Sequence, residues 1–475
     1  MSRLIFATFL GLAALCTRAD NTMLDPAFGV SGRYNQPFVG AQYLKTLAHL
    51  PRPGGGSVAV VYYRLPSGGA CVEYDCIGMY YFSDAGTPQA PVTVHAGMGF
   101  SSLGGAALDS QGRIVVVGAA VGADGSSDFR VVRLLANGLP DNSFSADGIV
   151  DIEFNLGGNN YDGANAVAID GQDRIVAVGQ VQRATALDTD YGTVRLLSNG
   201  TLDTSFDGDG KRATFFDLAA NFRLDSASAV VIGSNGLITI GGLAYDGALN
   251  VSRIGLVRLT DGGAPDVTFC PTSCSFMGTY GAINNGRRVI FYGNDVPAVS
   301  DSIVAMAVNS AGEVITAGTT PGAGERLGYV QKFDTAGNWV GEVSTQGGYG
   351  GQVWIGGVHF TQPGSPDSNI VLTGASSPDQ EIFFAQRFDA GLFPSMNWGV
   401  LGPSNSVYVW TGRADGALGD VGGNRPGRSS IDAAGRVLVG GSYRENQMSD
   451  PYRMTLSRLT YNGAVSTELL KNGFE

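Results

Sequence analysis

Gly112-Arg-Ile-Val-Val-Val-Gly118 returns as Asp173-Arg-Ile-Val-Ala-Val-Gly179, Gly236-Leu-Ile-Thr-Ile-Gly-Gly242, Gly312-Glu-Val-Ile-Thr-Ala-Gly318, Ser368-Asn-Ile-Val-Leu-Thr-Gly374 and Gly435-Arg-Val-Leu-Val-Gly-Gly441. A weaker first copy is Gly56-Ser-Val-Ala-Val-Val-Tyr62. The anchors 62, 118, 179, 242, 318, 374 and 441 are separated by 56, 61, 63, 76, 56 and 67 residues, a period near sixty with two insertions. A second landmark keeps the same phase: Tyr81-Phe82, Arg133-Leu134, Arg195-Leu196, Arg258-Leu259, Lys332-Phe333, Arg387-Phe388 and Arg458-Leu459. Two landmarks in register over seven copies make this a repeat array, and an array buries its core by stacking each unit on its neighbours.

Within the third copy, four short strands can be read: 164–169, 174–178, 192–197 and 211–216. They are separated by Gly, Asn and Asp, the marks of an antiparallel meander. The 71 glycines fit a chain with many tight turns, and apolar periodicity at helical spacing is hard to find beyond the N-terminus. A lone four-stranded sheet leaves its faces and edges unprotected, whereas radial stacking covers the faces. The expected fold is therefore all-β: a seven-bladed β-propeller of four-stranded antiparallel blades, with an open superhelical stack as the structural alternative.

Closure of the ring has its own sequence signal. Copies two to four end in Asp-x-x-Phe, at Asp141–Phe144, Asp203–Phe206 and Asp266–Phe269. The last copy lacks it, and an orphan stands near the N-terminus as Leu24-Asp25-Pro26-Ala27-Phe28-Gly29. Residues 24–38 are expected beside the strand around Met454 to Leu459, with Val465 to Leu470 competing for that place.

The segments 134–148 and 196–210, Leu-Leu-Ala-Asn-Gly-Leu-Pro-Asp-Asn-Ser-Phe-Ser-Ala-Asp-Gly and Leu-Leu-Ser-Asn-Gly-Thr-Leu-Asp-Thr-Ser-Phe-Asp-Gly-Asp-Gly, each follow an Arg. They resemble the delta-60 repeat of secreted bacterial proteins. Copies one, five, six and seven keep the β-branched run but lose Asp-x-x-Phe. The resemblance implies a propeller-like exported protein and assigns no catalytic residue.

Residues 1–19 read as a signal peptide, with Arg3 in the n-region, an apolar stretch from Leu4 to Leu15, and Thr17-Arg18-Ala19 before the cleavage point. The propeller is expected over 20–470 and a short tail over 471–475. Cys16 opens a lipoprotein alternative, against which Leu15 stands where a small residue is wanted. The expected location is secreted or periplasmic, without a membrane span. The remaining cysteines form two local pairs, Cys71 with Cys76 and Cys270 with Cys274, read as disulfide loops. A net charge of −12 disfavours nucleic acid.

The chemistry is less legible. The basic residues Arg133, Arg195, Arg258, Lys332, Arg387 and Arg458 suggest either an anion-binding ring or a scaffold pairing with turn carbonyls or a neighbouring blade's Asp, and their regularity favours the scaffold. Asp203, Asp207 and Asp209 make calcium the one candidate cation, weighed against tight turns, with no cofactor and no metal ligand otherwise expected. His49, His95 and His359 have no partner at ligand or catalytic spacing. The sialidase Asp box, the WD ending and quinoprotein tryptophan motifs are absent from the sequence. Candidate ligand-binding residues lie in loops on the face that joins blade to blade: Asn159, Asn160, Tyr161, Asp162, Tyr349, Trp354 and Arg425. The leading reading is a non-enzymatic, monomeric propeller binding a carbohydrate, peptide or envelope partner. The alternatives are a hydrolase or lyase with two carboxylates at the channel mouth, or a purely structural envelope protein.

Overall fold

A computed structural model of the chain describes residues 24–30, 32–39, 41–64, 76–96, 98–122, 124–158, 161–183, 188–218, 223–247, 251–271, 286–290, 302–321, 326–345, 353–361, 369–376, 382–393, 400–401, 407–410, 425–444 and 451–459. These form seven antiparallel sheets, the blades of one propeller, and among the described residues there is no helix. Blade three is representative: Gly163–Ile169, Ile175–Gln182, Asp188–Leu196 and Lys211–Thr214 follow one another outward. The first strands of successive blades, among them Tyr43–Pro51, Phe100–Leu108, Gly163–Ile169, Ser226–Ile232, Ser302–Val308 and Val353–Phe360, lie side by side around the centre.

Alternation along the middle strands explains the packing. In Ile175–Gln182 almost every residue is buried, because both faces of the sheet are covered by a neighbouring blade. Val115, Val117, Phe129 and Val131 of blade two thus share a core with Ala164, Ile175, Ala177 and Val194 of blade three. Each such core is a wedge between two sheets, and the β-branched run is the element that fills it.

The ring closes as the orphan Asp-x-x-Phe implied. Arg33–Phe38 pairs antiparallel with Tyr452–Leu459, from Arg33 opposite Ser457 to Phe38 opposite Tyr452, and forms the outer strand of blade seven. Leu24 bridges Leu459 just as Leu202 bridges Leu196 in blade three. Asp25 Oδ2 lies 2.8 Å from Arg458 Nε, and the guanidinium stacks 5.0 Å from the centre of the Phe28 ring. The competing segment 465–470 lies outside the described residues, as do the signal peptide and the tail.

The repeated basic residue is scaffold. Arg133, Arg195 and Arg258 are 1%, 1% and 4% exposed. Each donates Nε to the Asp of its own copy, at 2.8, 2.7 and 2.6 Å. Each also donates Nη1 to a carbonyl of the next blade, Ser198, Asp261 and Thr335 respectively, as Arg458 does to Asp84. Lys332 follows the same logic with Glu313 at 3.1 Å and the Ala390 carbonyl. The expected pairing with a neighbouring blade is met by its carbonyl, joined at Arg195 and Arg458 by the carboxylates of Asp261 and Asp84, each at 3.2 Å, while the anchoring carboxylate comes from within the copy.

The Phe of each motif explains a glycine of the next. Gly200, Gly263, Gly337 and Gly86 all have positive φ, and a Cβ there would stand 3.1, 3.0, 2.5 and 2.6 Å from the rings of Phe144, Phe206, Phe269 and Phe28. Only glycine offers both the left-handed turn and the seat.

Cys76 and Cys270 are buried, while their expected partners Cys71 and Cys274 lie outside the described residues.

Phe28→Ala is expected to cost about 3–5 kcal/mol, the usual effect of emptying a fully buried aromatic site. In denaturant titration its midpoint should fall, and amide exchange should rise first in residues 452–459. Unchanged protection there would refute closure by the N-terminal strand.

Candidate functional site

The propeller has two faces. One carries the turns between first and second strands and the hairpins between third and fourth. The other carries the links from blade to blade and the loops between second and third strands.

On the first face, a repeated turn builds an ion-pair lattice. In Asp170-Gly-Gln-Asp-Arg174, Asp170 Oδ1 accepts the amides of Gln172 and Arg174, each at 2.9 Å, and Oδ2 accepts Arg174 Nε at 2.6 Å. Arg174 then reaches blade four, donating Nη2 to Asp261. Blades two and seven repeat this, with Arg113 on Asp109 at 2.5 Å and Arg436 on Asp432 at 2.6 Å and on Asp84 at 2.7 Å. Blades one and five lack the pair, with Arg52 and Gly56 or Asn309 and Glu313 at its two places, and so does blade four. Gly233 stands where the Asp belongs and Leu237 where the Arg belongs, and only Asn235 Oδ1 caps the turn, at 3.1 Å from the Leu237 amide.

A cavity of about 870 Å³ opens at that break. Its apolar walls are Ile169, Ile232 and Val308, and its polar groups come from Asp170, Gln172, Asn235 and Asn309. Both of its carboxylates, Asp170 and Asp261, are ion-paired to Arg174. The volume and the mixed lining fall in the range of small-molecule sites.

The channel beneath is crossed by one side chain. Arg428, from the interrupted inner strand of blade seven, donates Nη2 to the Ser228 carbonyl at 2.8 Å and to the Asn165 carbonyl at 3.3 Å, in blades four and three. Its backbone exchanges hydrogen bonds with Leu47 and His49 of blade one. The accepting residues lie at bulges in the inner strands, between Ala164 and Ala166 and between Ala227 and Ala229, where carbonyls leave the ladder. Burial lowers the Arg428 pKa.

The candidate ligand residues lie on the opposite face, away from this cavity. Tyr161 is 53% exposed, and its amide donates to Gln182 Oε1 at 3.0 Å. Asp162 is buried and acts as a joint: its carboxylate accepts the amides of Phe154 and Gln182 at 3.3 and 2.8 Å, tying blade two to blade three. Trp354 is half-buried on Val353–Phe360, and the backbone of Arg425 pairs with Ser442. Asn159, Asn160 and Tyr349 lie outside the described residues. His49 bonds Ser57 at 2.9 Å and His359 bonds Ser429 at 2.7 Å, each deep in the wall, where burial lowers their pKa values to about 3 and about 4. Asp203, Asp207 and Asp209 are occupied by Arg195, Arg212 and the Lys211 amide.

Sequence reasoning missed the copy of the Asp162 joint. Asp225 accepts the amides of Phe216 and Tyr245 at 2.7 and 3.1 Å and joins blade three to blade four. The signal was present in Asp162-Gly-Ala-Asn-Ala-Val and Asp225-Ser-Ala-Ser-Ala-Val. Beside it, Asp188, Asp190 and Asp217 each bring a carboxylate oxygen within 4.8 Å of the others. Desolvation, first among the causes, raises Asp162 and Asp190 to about 6 and Asp225 to about 7.

Residues 110–144 and 173–206 match the family described as "Domain of unknown function (DUF5122) beta-propeller". No curated protein matches the chain in sequence. Among solved structures, a protein of unknown function from Dyadobacter fermentans is similar at 12% identity and a TM-score of 0.46, over 90% of this chain and 100% of the other. The polysaccharide lyase Uly1 is similar at 9% and 0.47, over 86% and 90%. The propeller domain of the Trilobed protease from Pyrococcus furiosus is similar at 8% and 0.40, over 90% and 98%. At these levels the likenesses say nothing about activity.

Asp162, Asp190 and Asp225 hold protons in the folded chain at pH values where the unfolded chain has released them. Between about pH 4 and 7 the folded state therefore binds more protons, and their contribution to stability falls as pH rises. The denaturation midpoint measured in a chelator should be lower at pH 8 than at pH 5.5. A higher midpoint at pH 8 would contradict the buried placement of these carboxyls.

Proposed function

We propose that the protein is an exported, monomeric, non-enzymatic propeller that seats a neutral, hydrogen-bonding ligand of carbohydrate type over the turns of blades three, four and five. One observation carries the reading: the Asp–Arg pair that clamps the turns of blades two, three and seven is replaced in blade four by Gly233 and Leu237, and the cavity stands at that turn. Binding sites depart from repeat symmetry, whereas scaffold follows it. The exposed amides of Gln172 and Asn235 offer donors suited to hydroxyl groups, Asn309 being held by Ala311 and Glu313 of its own turn, and Ile169, Ile232 and Val308 offer apolar surface. A carboxylate pair acting as acid and base needs one member free to carry a proton. Here both carboxylates are spent on one guanidinium, which supports binding over hydrolysis or elimination.

Export rests on the reading of residues 1–19. The two cysteine pairs, Cys71 with Cys76 and Cys270 with Cys274, act as staples on lengthened copies, in keeping with the burial of Cys76 and Cys270.

A glycan array probed with the purified chain should give hits among neutral saccharides. The double variant Gly233→Asp/Leu237→Arg, which installs the ion pair of blades two, three and seven, should fold and weaken those hits by roughly tenfold or more, as filling a pocket does. Retained binding in that variant would remove the cavity from the reading, and release of shortened products from bound glycans would overturn the non-enzymatic assignment. Peptide mapping without reductant should find both short disulfide loops, and the secreted chain should begin at Asp20. A different N-terminus or free thiols would contradict export by cleavage after Ala19.

A further inference from the structure

We propose that Asp188, Asp190 and Asp217, on the blade-joining face where blade three passes into blade four, bind one calcium ion. The inference is independent of the saccharide reading, since the cavity lies on the opposite face.

Asp188 and Asp190 open the third strand of blade three, Asp188–Leu196, and Asp217 follows Phe216 just past its fourth strand, Lys211–Thr214. One oxygen from each carboxylate lies within 4.8 Å of the other two. Proximity of acids alone is common at protein surfaces, but here Asp190 is sunk into the blade between the half-buried Asp188 and Asp217. Asp190 is 1% exposed, and its Oδ1 is buried without a hydrogen-bond partner. Asp188 Oδ1 is likewise buried and without one. A buried carboxylate oxygen with no donor is costly, and a cation supplies what the protein does not.

The local charge balance points the same way. Arg183 reaches the group from its exposed side, Nη1 standing 3.3 Å from Asp190 Oδ2, and it is 42% exposed. Nearby, Asp225, 1% exposed and fixed by the Phe216 and Tyr245 amides, feels the charges of Asp190 and Asp217 and adds a fourth carboxyl to the group.

Oxygen donors select a hard cation. A calcium sphere, with ligands at about 2.3–2.6 Å, accommodates oxygens roughly 4.6–5.2 Å apart across the ion and tolerates bidentate carboxylates and waters. Magnesium, at about 2.0–2.1 Å, demands a tighter octahedron. Oxygens within 4.8 Å of one another can gather on the larger ion without the strict octahedron that magnesium demands.

The test uses the full secreted chain at pH 8, by titration calorimetry and thermal melting with calcium, with magnesium and with chelator. Calcium should bind at about one ion per chain and raise the melting temperature, with a much smaller shift from magnesium. Asp188→Asn/Asp217→Asn should weaken calcium binding by roughly tenfold or more. In chelator this variant should melt no lower than the parent, because it relieves like-charge repulsion; a merely structural role would lower it. Asp207→Asn, on the other face, should leave binding unchanged. No heat and no shift with millimolar calcium would mean the acids only share protons, and would overturn the proposal. So would calcium binding that survives in the double variant, is lost in Asp207→Asn, or is matched by magnesium.

Discussion

A guanidinium shared between two blades holds this propeller together. Arg133, Arg195, Arg258 and Arg458 each bond an Asp supplied with their own copy and a carbonyl of the next blade, and each stacks on a Phe at 4.5–5.0 Å. A buried ion pair contributes little net stability when complete, but losing one partner leaves a charge stranded in low dielectric. What it supplies is orientation. The planar fork fixes three directions at once, so a blade can meet its neighbour in one register only. The Phe beneath then fits a turn of the next blade where a left-handed glycine leaves room for the ring, which makes apolar packing subject to the same register. Where the motif is lost, as in copy five, Lys332 with Glu313 keeps the cation and its reach to the next turn but not the fork.

The architecture was legible because it is repeated. A period near sixty and two landmarks in phase imply stacked sheets, and the orphan Asp25–Phe28 named the strand that completes blade seven before any coordinates. The site was not legible for the converse reason. Gly233 and Leu237 look like ordinary drift in a linear sequence, and only the lattice of Asp170, Arg174 and Asp261 shows that they leave a gap. Arg428 was likewise hidden: a lone Arg in Arg425-Pro-Gly-Arg-Ser-Ser gives no hint that it crosses the channel to blades three and four. The carboxyls at 162 and 225 share a readable pattern, but their role depends on amides about twenty residues away in sequence.

Regularity and its interruption thus divide the molecule. Six inner strands bulge at one level, and blade seven is interrupted there instead, so that Arg428 and Ser429 bond to blades one, three, four and six. The channel is spanned rather than open at that depth. The turns of blades three to five therefore stand above a floor braced by Arg428.

Because Asp25 and Arg458 stand 433 positions apart, the seam of the disc joins the segment synthesised early to one synthesised late. Loop-closure entropy grows only with the logarithm of chain length, so the equilibrium penalty of so distant a junction is modest. The kinetic penalty is larger, since distant pairings form late. Until the terminal strand arrives, the flanks of blades one and seven stay wet and adhesive, and a nascent chain carries an incomplete crescent whose exposed rim invites the same strand from another copy.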